Sequence, residues 1–76
     1  MNNRRRKEIE KISNTLKDAQ SQIETIQSDE QEYYDNMPEG IQESERGEKS
    51  SEAIDNLQAA YDSLEEAISS LTDASI

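Results

Sequence analysis

The sequence predicts an all-α protein: an antiparallel two-helix hairpin, coiled-coil-like, that dimerises into a four-helix bundle. Three observations carry this. Apolar residues fall at Ile9, Ile12, Leu16, Ala19, Ile23, Ile26 and, after a skip at Glu30, Tyr33. A second series follows at Ile54, Leu57, Tyr61, Leu64, Ile68 and Leu71. Both advance by alternate steps of three and four, the heptad spacing of a helical seam. Between them lie Asn36, Pro38 and Gly40, residues that interrupt helices.

The first helix is expected over about 4–35, a stretch without Gly or Pro whose other positions carry Glu, Lys, Gln and Asp. It ends because Pro38 disfavours a helical conformation at Met37. Residues 38–42 read as a turn, with room for one short helical turn started by the proline. Ser44 can cap the second helix, with Glu45 and Glu48 at the positive end of its dipole. Gly47 weakens that first turn, and Ser50 and Ser51 offer a later start. The assigned bounds are a turn over about 36–48 and a helix over about 49–72, within one domain spanning 1–76. A connection of this length reverses the chain. The reversal would bring the large Tyr33 near the small Gly47 and Ser50. It would also set Arg4, Arg5 and Arg6, which oppose their own helix dipole, beside Asp73 and the terminal carboxylate.

Two helices touch along one seam, and so short a chain rarely buries enough apolar surface alone. Ala53, Ala60, Ala67 and Ala74 recur every seven residues beside the second seam and permit close approach of another helix. A homodimer is therefore expected through the second helix, with Ala53, Ile54, Leu57, Ala60, Tyr61, Leu64, Ala67, Ile68 and Leu71 at the oligomer interface.

Composition restricts function. Charged residues make up 34% of the 76 and hydrophobic ones 30%, a balance that disordered chains share; the two periodic series argue for ordered helix instead. There is no Cys and no His, which excludes disulfides and Cys- or His-based catalytic or zinc centres. No apolar run approaches the ~20 residues of a membrane span. The basic run Arg4–Lys7 leads into Glu8 and Glu10, unlike a secretory signal, so a cytoplasmic location is expected. No cofactor or metal is expected. An EF-hand over Asp35–Arg46 fails because Met37 and Arg46 stand where ligands must be. The pairs Glu45/Glu48 and Glu52/Asp55 lie one turn apart on one helix, and two helices form no deep cleft. No enzymatic activity is expected.

The formal net charge of −10 is unevenly placed. Residues 1–17 hold six basic and two acidic side chains; residues 18–76 hold two basic and sixteen acidic ones. Seven carboxylates and no basic residue fall within 29–45, at the hairpin tip. Such a surface repels nucleic acid, so no direct nucleic-acid binding is expected, and attracts basic proteins. Carboxylates three or four residues apart on a helix lie roughly 5–6 Å from one another, not far from the spacing of phosphates on a strand. Asp29, Glu32 and Asp35 form such a row, and Asp62, Glu65 and Glu66 a shorter one. The expected protein-binding residues are Asp29, Glu32, Tyr34, Asp35, Glu39, Glu43 and Glu45, with Tyr34 one step off the seam as an anchor. The plainer reading of these carboxylates is that they solvate the outside of a small helical protein.

From Glu30 to Leu71, a little over half the chain, the sequence resembles small acidic proteins encoded by phages and prophages of Gram-positive bacteria. The resemblance is carried by Asp35-Asn36-Met37-Pro38-Glu39, by Ser44-Glu45-Arg46-Gly47-Glu48 and by the heptads from Ile54 to Leu71. It implies a small phage protein, a host-cell cytoplasmic setting, and action by binding a host protein such as a defence or nucleic-acid-binding enzyme. The alternative is a structural or oligomerisation module without a decoy role.

Overall fold

The computed structural model describes all 76 residues, arranged as α1 (Asn3–Asp35), α2 (Glu39–Gln42) and α3 (Glu45–Ala74). Asn2 opens α1: its Oδ1 accepts a hydrogen bond from the Arg5 N–H at 2.9 Å. That cap offsets part of the cost of a first turn with no acidic residue and several basic ones. Pro38 ends the helical run, and its carbonyl accepts from the N–H groups of Ile41 and Gln42. The short turn expected after the proline is therefore present as α2, with Pro38 as its N-cap. Ser44 precedes α3 in extended conformation, and its carbonyl accepts from Glu48 N–H at 3.0 Å. Its hydroxyl does not cap α3 but donates to the Ile41 carbonyl. The second long helix thus begins at Glu45 and carries Gly47 within its first turn.

α1 and α3 pack side by side and antiparallel. The molecule measures 58 × 15 × 12 Å, with a radius of gyration of 17.2 Å. A compact chain of this length would have about 11 Å. Two long helices with no third layer leave only six residues buried, and the apolar ones are Met37 and Ile68. No helix is long and apolar enough to cross a membrane.

Cross-helix contacts define the register. Arg6 reaches Ser75, Gln20 reaches Tyr61, Gln27 reaches Ile54, and Tyr34 lies beside Gly47. The pairs are spaced by whole heptads, two between the first and second and one thereafter, rising along α1 while falling along α3. The same register sets Ser13 opposite Ile68, and Leu16 and Ile23 opposite Leu64 and Leu57. These six residues are buried or half-buried.

This register corrects the expected α1 seam. Ile9, Leu16 and Ile23 do face α3, but the residues alternating with them are Ser13, Gln20, Gln27 and Tyr34. Ile12, Ile26 and Tyr33 lie one step round the helix and are 51%, 54% and 44% exposed. Tyr34 borders the same groove as Gly47, Tyr33 reaches Arg46 instead, and Ser50 donates to the Glu30 carboxylate. Large opposite small is the pairing expected there, with the neighbouring tyrosine supplying it. The basic cluster also reaches a different target: Arg6 Nε donates to the Ser75 carbonyl at 2.9 Å, while Arg4 pairs with Glu8 on its own helix. The guanidinium thus satisfies a carbonyl beyond the end of α3.

Candidate functional site

The hairpin has two unlike sides. On one, amides and carboxylates form a ladder along the seam. Gln20 Nε2 donates to the Tyr61 carbonyl at 3.2 Å and to Glu65 Oε2 at 2.8 Å. Gln27 Nε2 donates to the Ile54 carbonyl at 3.3 Å and to Gln58 Oε1 at 3.0 Å. Gln58 in turn donates to Asp62 at 3.0 Å. Tyr61 sits within this acidic ladder. The negative charge of Glu24 first, then desolvation, with the charges of Glu65 and Asp62 adding less, raises its phenol above the ordinary value of 10.0. The raised folded value means that Tyr61 favours the folded state below pH about 10, and that this contribution is lost as pH climbs through the folded pKa. Glu24→Gln is expected to bring the Tyr61 titration back toward 10.0, read by near-ultraviolet absorbance as pH rises. An unchanged curve would show that Glu24 does not face the phenol.

The opposite side is apolar. Ile12, Ala19, Ile26 and Tyr33 run down α1 at seven-residue intervals. On α3 the matching column is Arg46, Ala53, Ala60, Ala67 and Ala74. Tyr33 and Arg46 meet across the hairpin and prove that the two columns share a side. Arg46 Nε donates to the Tyr33 hydroxyl at 2.8 Å, and its guanidinium carbon lies 5.7 Å from the ring centre. Ile41 of α2, 37% exposed, extends the strip past Tyr33 and Met37.

Among the expected protein-binding residues, Asp29, Glu32 and Asp35 lie exposed on α1. Glu39 opens α2, Glu43 is its C-cap, and Glu45 opens α3; all three are exposed. Tyr34 does not belong with them, because it is half-buried in the seam, where its carbonyl accepts from Gln42 at 2.9 Å. The exposed tyrosine of the tip is Tyr33. Glu45 pairs with Lys49 at 3.2 Å, an exposed i,i+4 contact that contributes little. Asp29, Glu32, Asp35, Glu39 and Glu43 make no ion pair. Glu24, Gln31, Glu32 and Asp35 border a shallow hollow with no apolar lining. Small-molecule sites are concave and mostly apolar, and this hollow is neither deep nor apolar. No group of three or more acidic side chains is arranged to hold a metal ion.

Of the nine residues expected at an oligomer interface, Ile54, Leu57, Tyr61, Leu64, Ile68 and Leu71 are occupied by α1. Ala60 and Ala67 are exposed and Ala53 half-buried. The residues the sequence reading missed are the α1 partners of this alanine column, Ile12, Ile26 and Tyr33. Their signal was present: an apolar column with a polar column, Ser13, Gln20 and Gln27, one residue behind it. No family model, curated protein or solved structure matches the chain.

Proposed function

We propose that this chain is a non-catalytic protein-binding module of the host-cell cytoplasm whose acidic tip engages a basic partner protein. In this reading it acts as a phage-encoded decoy or inhibitor of a nucleic-acid-binding or defence enzyme. One observation carries it: Asp29, Glu32, Asp35, Glu39 and Glu43 stand exposed and unpaired on a helical frame. The charge distribution supports it. Residues 20–61, the tip half, hold eleven acidic and two basic side chains; the remaining half holds seven acidic and six basic ones. A field concentrated at one end steers a basic partner to that end and speeds encounter. The rows at three-residue spacing offer such a partner negative charges at intervals resembling a phosphate backbone.

The test is capture of partners from a Gram-positive host lysate, washed at low and high salt. A dominant nucleic-acid-binding protein released as salt rises is the expected result, because exposed charge contacts are screened. Changing Asp35, Glu39 and Glu43 to their amides should weaken that capture about tenfold, at roughly 0.5 kcal/mol per exposed contact, without lowering helicity. Unchanged binding by the triple variant would refute the acidic-tip reading.

The exposed apolar side favours a second reading, an oligomerisation module that forms a homodimer. In that case self-association survives the amide changes and fails when Ala60 and Ala67 are replaced by glutamate.

A further inference from the structure

We infer that the apolar side of the hairpin is covered by a second copy of the chain lying in the opposite orientation, α1 against α1 and α3 against α3. This rests on the homodimer reading and adds the surface, the orientation and the register.

Internal large apolar residues that remain exposed lie on one side. Ile12, Ile26, Tyr33 and Ile41 line one strip, flanked by the alanines of α3. Meanwhile the intrachain seam takes up Gln20, 6% exposed, in place of these isoleucines. An isolated hairpin with that arrangement holds glutamines beside the apolar residues of the contact and leaves Ile12, Ile26, Tyr33 and Ile41 in water. A helix pair inside a four-helix bundle has the opposite character, because the bundle axis lies on the strip's side.

Area agrees. The chain exposes 5665 Å² at 8.7 kDa. A folded monomer of that mass exposes about 4,700 Å². The excess, about 1,000 Å², is of the order of the roughly 800 Å² per partner of a standard stable interface.

The α1 column itself specifies the orientation. Arg5, Ile12, Ala19, Ile26 and Tyr33 are each seven residues apart and are symmetric in size about Ala19. A two-fold axis through Ala19, perpendicular to the long axis, sets Ile12 against Ile26 of the second copy. The same axis sets Tyr33 against the second copy's Arg5. Small residues at the axis let the backbones approach, the isoleucines fill the flanks, and the guanidinium meets an aromatic ring at each end. Charge favours the same solution. Opposite orientation places the six basic side chains of residues 1–17 alongside the acidic tip of the other copy. Parallel hairpins would stack two tips that each carry eleven carboxylates.

Two measurements test this on the full chain. Light scattering during gel filtration should give a mass twice 8.7 kDa at tens of micromolar. Ile26→Glu should give the monomer mass with helicity retained, since that side chain is 54% exposed in the hairpin and bears little on its folding. A wild-type monomer up to several hundred micromolar would overturn the dimer. Orientation is read independently from single cysteines, because the chain has none of its own. Ala19→Cys should oxidise to a covalent dimer and Ile12→Cys should not, since opposite orientation sets position 19 against itself and position 12 against position 26 of the second copy, whereas a parallel pair would set both against themselves. Ser21→Cys, exposed and two residues on from Ala19, hence on the far side of α1, should not cross-link. A dimer mass with cross-linking at position 12, or with none at position 19, would overturn the orientation while leaving the dimer in place.

Discussion

Gly47→Ala is expected to lower the melting temperature by on the order of 10 °C at fixed chain concentration. A Cβ at this position would lie 2.0 Å from the Gln42 carbonyl oxygen, 2.4 Å from its carbonyl carbon and 2.6 Å from its Cα. All three are backbone atoms, so no rotamer change relieves the contact, and α2 must move away from α3. Overpacking of this kind costs about 1–3 kcal/mol, and in a domain of this size each kcal/mol is worth roughly 4–8 °C. Alanine's helix propensity returns up to about 1 kcal/mol, which tempers the loss without reversing it. The damage should be local, because Tyr34 borders the same groove as Gly47 and Gln42 ties this corner to the Tyr34 carbonyl. Gly40→Ala is the matched control. Nothing lies within 4 Å of a Cβ there, and no glycine in the chain has positive φ. It should raise stability by about 0.4–1 kcal/mol. Thermal melts of the two variants by circular dichroism decide the matter. A Gly47→Ala protein melting at or above wild type would mean that α2 does not pack on α3 in solution.

Why the hairpin was legible in the sequence, and its seam only partly so, follows from the same residues. The two heptad series, Pro38 and Ser44 specify two helices and a reversal, because they act through local backbone preferences. The α3 series from Ile54 to Leu71 does face α1, as its spacing implies. On α1 the apolar stripe is wider than one contact line. Ile9, Leu16 and Ile23 mark its shared edge, and either Ile12 and Ile26 or Gln20 and Gln27 can complete it. Spacing alone ranks the isoleucines first. In the hairpin the glutamines are taken in because their long amides reach α3 carbonyls and side chains while their stems pack in the seam. That one-step rotation exchanges the roles of Tyr33 and Tyr34, and it moves the exposed apolar surface onto α1 as well as α3. The acidic tip was legible as charge, since exposure of Asp29, Glu32 and Asp35 follows from their place on the helix. Tyr34 is half-buried and Tyr33 exposed because the environment of each depends on the rotation of α1, which no local signal determines.

The rotation yields the second large effect: Gln20→Leu with Gln27→Leu is expected to raise the melting temperature by roughly 5–15 °C. Each glutamine lies in the seam against a residue of α3, Tyr61 or Ile54, so each leucine adds apolar burial there. At ~0.8 kcal/mol per buried CH₂ and with incomplete burial, about 1 kcal/mol per site is a fair expectation. The lost bonds leave little uncompensated. The Tyr61 and Ile54 carbonyls lie inside α3, and the acceptors on Glu65 and Gln58 belong to exposed residues that water can serve. Stability, however, is not what polar residues in a seam supply. A hydrogen-bonding side chain at such a position fixes register and partner number at some cost in stability. Gln20 and Gln27 each meet a defined carbonyl, one heptad apart, and therefore penalise any slip of α1 along α3. The double variant should thus melt higher and assemble less uniformly, with light scattering showing a spread of masses where wild type shows one. A higher melting point with a single unchanged mass would mean that the remaining contacts, including Tyr34 against Gly47, suffice to hold the register. A fall in melting temperature would mean that the amide ladder is itself a net source of stability.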